Sequence, residues 1–272
     1  MRAAILVFAI ILVNFFDAHA QAEKKEDYLE LTAGASFPMG HYRSADMYDS
    51  ESGFAEVGEV FIFSFIHMVH KNIGLAAAVH GQRNPLNTKA LETSFNQANF
   101  YNGVVPVSYV GQPAGNPPAE RYYNWKFEKK SWWLGSILVG GYGQCVMSSA
   151  GKTVLTAKAM MGALYAAAPG LSGTSVSDTT RASITQSSGS AWGMGYTLAA
   201  GGKYKLAGKL FLRAEVEYLG SSELTFNDVK ATFTSSRYRN NFPASFSQHT
   251  MTGVTKQKIA SLNLNVGIGL LL

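Results

Sequence analysis

The stretch LFLRAEVEYLG, residues 210–220, alternates without a slip. Leu210, Leu212, Ala214, Val216 and Tyr218 share one parity; Phe211, Arg213, Glu215 and Glu217 share the other. Successive side chains of a strand point to opposite faces, so this period reads as a β-strand with one oily and one charged face. Which face is enclosed decides the fold.

Seven further stretches carry the same period: roughly 28–37, 55–69, 73–83, 131–146, 153–165, 191–205 and 258–272. Helical period is hard to find, and glycines are scattered through the strands themselves. The connections alternate in length. PMGHYRSADMYDSESGF is long, HKN is short, 84–130 is very long, and MSSAGK is short. The Ser/Thr-rich PGLSGTSVSDTTRASITQSSGS is long, AGK at 207–209 is short, and 221–257 is long. An antiparallel up-and-down meander whose two ends meet different surroundings has this order, as do outer-membrane barrels with tight periplasmic turns and longer outside loops.

A soluble sandwich or lipocalin-like barrel also alternates with period two, so the composition of the polar parity has to decide. In 191–205 that parity is Gly193, Gly195, Thr197, Ala199, Gly201 and Lys203; in the last strand it is Ser261, Asn263, Asn265, Gly267 and Gly269. These are small groups suited to a crowded lumen. The opposite parity carries Trp192, Met194, Tyr196 and Leu198, then Leu262, Leu264, Val266, Ile268 and Leu270, bulky enough to meet lipid. The first strand follows suit, with Leu29, Leu31, Ala33, Ala35 and Phe37 outward and Glu30, Thr32, Gly34 and Ser36 inward. VFIFSFIHMV and WWLGSILVGGYG are apolar on both parities, so their facing stays open. Trp132, Trp133, Trp192, Tyr142, Tyr196, Tyr204 and Tyr218 are candidates for interfacial girdles.

The charges of the opening stretch therefore point into the lumen. If Ala207–Lys209 is a three-residue turn, Leu206 faces Leu210, Lys203 faces Arg213, and Gly201 faces Glu215. The inward set is Glu30, Lys158, Lys203, Arg213, Glu215 and Glu217, three acids against three bases. Eight strands enclose a space that side chains fill, and unpaired buried charge is costly. The balance predicts a salt-bridged plug; a polar conduction path or small binding pocket is the alternative. Lys203 and Arg213 would repel unless Glu215 or Glu217 bridges them.

The N-terminus adds an address. Arg2, the apolar run Ala3–Phe16 and the A-x-A site Ala18-His19-Ala20 read as a secretory signal peptide over 1–20, leaving one β-barrel domain over 21–272. Its removal takes one base and one acid, so the net charge stays at +5. Charged residues make up only 15% of the 272-residue chain, against a usual quarter or so. Cys145 is the one cysteine, so no intrachain disulfide forms. There is no Lys/Arg run, and an exported chain is a poor candidate for a nucleic-acid partner.

Sequence motifs for chemistry fail on inspection. AGKT at 150–153 ends like a phosphate loop, but Val146 stands where the leading glycine is required. GGYG and GMGYT lack the third glycine of a dinucleotide fingerprint. A turn at HKN sets His80 rungs away from His67, so His67, His70 and His80 do not complete a metal site, and no cofactor is expected. Ser247 and His249 evoke a surface lipid hydrolase, with no acid in fixed register.

YLELTAGASFPMG, KNIGLAAAVHGQRNPLNTKALE, ILVGGYGQ and the closing SLNLNVGIGLLL together resemble small outer-membrane β-barrel proteins of the OmpA/OmpX/OmpW-like porin superfamily. The resemblance covers essentially the whole chain after the leader. It implies an eight-stranded barrel in the outer membrane of a Gram-negative bacterium, N-terminus periplasmic and loops outside. Where the family's C-terminal aromatic would stand the chain has Leu272, and no residues remain for a peptidoglycan-binding domain. The expected function is a monomeric, non-enzymatic envelope or surface-contact barrel, with the bilayer and possible lipopolysaccharide phosphates as partners. A small porin or hydrophobic-solute transporter is the alternative. Aromatic-basic runs such as RYYNWKFEKK and SSRYRNNF suit surface contact.

Overall fold

The computed structural model describes residues 27–46, 49, 51–97, 124–147, 152–177, 180–239 and 242–272. The expected leader, 1–20, lies outside them, as does 98–123 of the long connection. The described chain runs β1 (Asp27–Pro38), α1 (Gly40–Arg43), β2 (Gly58–His70), β3 (Ile73–Pro85), α2 (Thr88–Gln97) and β4 (Lys126–Phe127). It continues through β5 (Ser131–Val146), β6 (Thr153–Ala168), β7 (Leu171–Val176), β8 (Thr180–Gln186), β9 (Gly189–Lys205), β10 (Leu210–Arg239) and β11 (Phe242–Leu271).

Eight of these strands close a ring in the order β1-β2-β3-β5-β6-β9-β10-β11, every neighbouring pair antiparallel. The seam pairs β11 with β1, from Tyr28 opposite Leu271 to Pro38 opposite Ser261. The expected turn forms: Leu206 N–H donates to Leu210 O at 3.0 Å. Gly208 holds φ +58° there, a left-handed conformation that glycine adopts without a Cβ clash. Lys203 then faces Arg213 and Gly201 faces Glu215, as the sequence register requires.

The two undecided strands now have faces. In β2, Val60, Ile62, Ser64, Ile66 and Met68 are buried while Phe61, Phe63 and Phe65 are exposed. In β5, Trp132, Leu134, Ser136, Leu138 and Tyr142 turn inward and Trp133, Ile137 and Val139 outward. Of the girdle candidates, Trp132 and Tyr142 are therefore lumen residues, whereas Trp133, Trp192, Tyr196 and Tyr204 face out. Arg83 stacks over the outward Trp133 ring at 5.2 Å, and Tyr165 packs against Trp192 at 5.1 Å.

Two stretches read as loops are built differently. Residues 221–239 and 242–257 extend β10 and β11 as one long antiparallel pair past the barrel rim, with register shifts at Gly220/Glu223 and Phe226/Val229. The Ser/Thr-rich connection folds into β7 and β8; β8 adds to the outer part of β10, and β4 to β7. The physical reason is that Ser and Thr pair well across strands in water, without the oily parity that marks a spanning strand. Thr232 and Thr250 hydroxyls, for example, meet across the hairpin at 3.1 Å. A helix also escaped the period test. Among the described side chains of α2, Leu91 and Phe95, one turn apart, are the buried ones. Its start is fixed by Asn87 Oδ1, which accepts from Ala90 N–H at 2.8 Å.

This outer cap shares a small core of Leu86, Leu91, Phe95, Trp125, Phe127, Ile184 and Phe233. A second cluster, including Trp132, Leu134, Leu164, Leu224 and Phe226, fills the barrel's upper end. An outward-facing site in the spanning band should be sensitive to charge and the cap should not. Val216→Arg is expected to cost about 2–4 kcal/mol when folding into bilayers is titrated with urea. Phe246→Arg, in the protruding hairpin, should stay within about 0.5 kcal/mol. Equal costs at both positions would show that the band does not meet hydrocarbon.

Candidate functional site: the charged lumen

The six charged side chains named from the sequence are all buried: Glu30 on β1, Lys158 on β6, Lys203 on β9, and Arg213, Glu215 and Glu217 on β10. Four of them interlock. Arg213 donates through Nη2 to Glu215 Oε2 at 2.6 Å and through Nη1 to Glu30 Oε1. Lys158 Nζ lies 3.1 Å from the same Glu215 Oε2. The four side chains are at most 1% exposed.

The small residues of the polar parity make this reach possible. Arg213 faces Gly267 on β11 and Glu30 faces Gly269, so no inward side chain of β11 stands between base and acid. Across the other neighbour, Lys158 faces Ala199 on β9 while Glu215 faces Gly201. A Cβ at Gly201 would approach Glu215 Cβ to 2.7 Å. Glycine between oppositely charged partners two strands apart is thus part of the ion layer.

Lys203 and Glu217 have other neighbours. Lys203 Nζ sits 3.6 Å above the Tyr28 ring and about 5 Å from the Tyr142 and Phe211 rings. It also donates to Gln144 Oε1 at 3.3 Å. Aromatic faces stabilise a cation. The cage depends on another lumen glycine, because a Cβ at Gly269 would fall 2.1 Å from the Phe211 ring. Glu217 Oε1 accepts from Asn263 Nδ2 at 3.1 Å and lies 3.6 Å from His80 Nδ1.

Above this layer a neutral polar ladder continues. Gln82 Nε2 donates to Asn84 Oδ1 at 2.7 Å, and Tyr42 Oη donates to the same oxygen at 3.2 Å. The sequence reading named none of Tyr28, Tyr142, Phe211, Gln144, His80, Gln82 or Asn84 as part of the site. Parity was the available signal: Tyr28 and Phe211 share the inward parity of Glu30 and Arg213.

The histidines are dispersed. His67 pairs with Asp27 at 2.8 Å on the outside of the turn end, whereas His80 is in the lumen. Among the described residues no group of three or more His, Cys, Asp or Glu could hold a metal ion. Ser247 and His249 lie on the hairpin rather than in a loop, and Ser247 Oγ is hydrogen-bonded to Ser235 Oγ at 2.8 Å.

The wall is inverted relative to a soluble barrel. Ile137 is 65% exposed and Val266 68%, while Glu217 and Asn263 are fully buried. Leu212, Val216, Leu264 and Ile268 are exposed on the outside of strands that bury Arg213 and Glu215. Only a closed sheet satisfies its backbone in hydrocarbon, and this sheet is closed. The chain is a transmembrane β-barrel of the outer-membrane type. No family model matches it, and no curated protein matches it in sequence. Among solved structures, Neisserial surface protein A is 11% identical with TM-score 0.39, covering 91% of this chain and 99% of that one. The Ail attachment invasion locus protein of Yersinia pestis is 10% identical, TM-score 0.38, covering 91% and 99%. A major outer membrane protein from Thermus thermophilus is 11% identical, TM-score 0.38, covering 92% and 100%. The assignment rests on the strand ring and the exposed band.

If the ion layer is one unit, its members should be coupled. A cycle of Glu30→Gln, Arg213→Gln and the double variant is expected to show an interaction energy of about 0.5–3 kcal/mol in urea unfolding. Additivity within about 0.3 kcal/mol would show the contact to be energetically inert.

Proposed function

We propose that the chain is a non-conducting, non-enzymatic barrel of the outer membrane, its lumen plugged by paired charges and its work done at the outer surface. The observation that carries this reading is the Glu30–Arg213–Glu215–Lys158 layer, whose members come from β1, β6 and β10 and meet across the lumen. Passage of an ion would require parting these pairs inside a low-dielectric wall. Breaking a buried pair costs about 3–5 kcal/mol, because a charge is left uncompensated. The Lys203 cage adds a second obstruction toward the turn end.

Surface contact is supported by what the barrel raises above the membrane. The protruding hairpin and the β4–β7–β8 extension carry Lys126, Arg181, Lys230, Arg237 and Lys256, and Arg181 lies over the Tyr238 ring at 5.0 Å. Mixed cationic and aromatic surfaces suit anionic partners, and lipopolysaccharide phosphates are within reach of a monomeric barrel. Catalysis is not part of the proposal: the Ser247 hydroxyl is engaged by Ser235 at 2.8 Å.

Planar-bilayer recording tests the plug against the porin alternative. The wild-type barrel should give no unitary currents at 100 mV. Replacing Glu30, Arg213, Glu215 and Lys158 together by Ala should open resolvable steps. Steady wild-type conductance would reject the plug.

A further inference from the structure

Between the barrel's upper cluster and the core of the cap lies a partly open, mainly apolar cavity of about 140 Å³. Trp132, Phe226 and Val229 belong to its barrel wall; Leu86, Leu91 and Phe95 belong to its cap wall. Ser52, Gln186, Ser187, Thr255 and Gln257 also line it, and its two other polar side chains, Trp132 and Asp49, are engaged. Trp132 Nε1 donates to Gly53 O at 2.9 Å. The Asp49 carboxylate accepts from Glu51 N–H at 2.9 Å and lies 2.8 Å from His41 Nδ1. Those two hydrogen bonds, the backbone one first, hold its carboxyl below the usual range.

We propose that this cavity is a binding site for one uncharged, ring-sized molecule, aromatic or alicyclic. Size and lining both point to that class. A space of about 150 Å³ accepts a benzene-sized guest, whereas a water held there needs two to four polar partners that the Leu and Phe side chains do not offer. A charged ligand would lose its hydration against Leu86, Leu91, Phe95 and Phe226 with no free counter-charge, since Asp49 is paired. A single ring fills the space and touches both walls, so it ties the cap to the rim. Each wall alone is a separate cluster, and a guest supplies the apolar contacts the seam lacks. The site retains its ligand and does not conduct it, and it stands independently of the plug.

The test uses the barrel in lipid nanodiscs with fluorobenzene as probe, read by ¹⁹F line width. Wild-type protein should broaden the probe saturably, and excess benzene should reverse the broadening. Ala168→Phe, which projects a ring from the cavity edge, should weaken binding at least tenfold while keeping the heat-modifiable gel shift of the folded barrel. Leu171→Trp, from another wall, gives the same reading should Ala168→Phe fail to show that shift. 4-Fluorobenzoate, the same ring with a charge, should not bind. Equal broadening by wild type and filled variants, or broadening that never saturates, would mean partition into lipid only and overturn the site. Channel silence or conduction leaves these outcomes unchanged, so the two proposals fail separately.

Discussion

Hydrocarbon offers a peptide group nothing to bond with, and each unpaired N–H or C=O there costs several kcal/mol. That constraint forces the ring to close, and closure fixes almost everything else. The β11–β1 seam sets the strand count at eight for the wall, and eight strands leave a space no wider than the side chains that fill it. Every inward residue must therefore be either small or matched to a neighbour. Gly201, Gly267 and Gly269 meet the first condition; Arg213, Glu215, Glu30 and Lys158 meet the second.

The lumen is layered along the barrel axis. Lys203 in its aromatic cage lies toward the turn end, followed by the ion layer, the Glu217–His80–Asn263 group and the Gln82–Asn84–Tyr42 ladder. The apolar cluster around Trp132 and Phe226 then closes the upper end. Outside the membrane the constraint relaxes. Water can solvate an edge, so β10 and β11 continue as a hairpin, and β8 and β7 add to it without any need for an oily face. The cap's own core is small, and its contact with the barrel is where the cavity lies.

Much of this was legible in the sequence because the membrane imposes a strict binary pattern. The 210–220 alternation put Arg213, Glu215 and Glu217 on one face, the small residues of the polar parity in 191–205 and 261–269 marked that face as the inner one, and a three-residue turn implied the Lys203–Arg213 register. Legibility ended where the pattern ended. β2 and β5 are oily on both faces because the lumen is partly apolar, so parity could not assign Phe63 against Ile62 or Trp133 against Trp132. The outer strands hid in Ser/Thr-rich sequence, and α2 hid behind only two buried anchors, Leu91 and Phe95. The Lys203 cage was missed for another reason. Charge balance looks for an opposite charge, whereas this cation is held by ring faces supplied by Tyr28, Tyr142 and Phe211.

The central claim is the orientation of the wall, and spin-label accessibility measures it most directly. Nitroxides placed singly at Leu212, Val216, Leu264 and Ile268, in a Cys145→Ser background, should collide with oxygen dissolved in the bilayer and be shielded from a water-soluble nickel chelate. A label at Ser245 in the hairpin should show the reverse. Four spanning-strand labels shielded from both reagents, as in a dry protein core, would contradict the account.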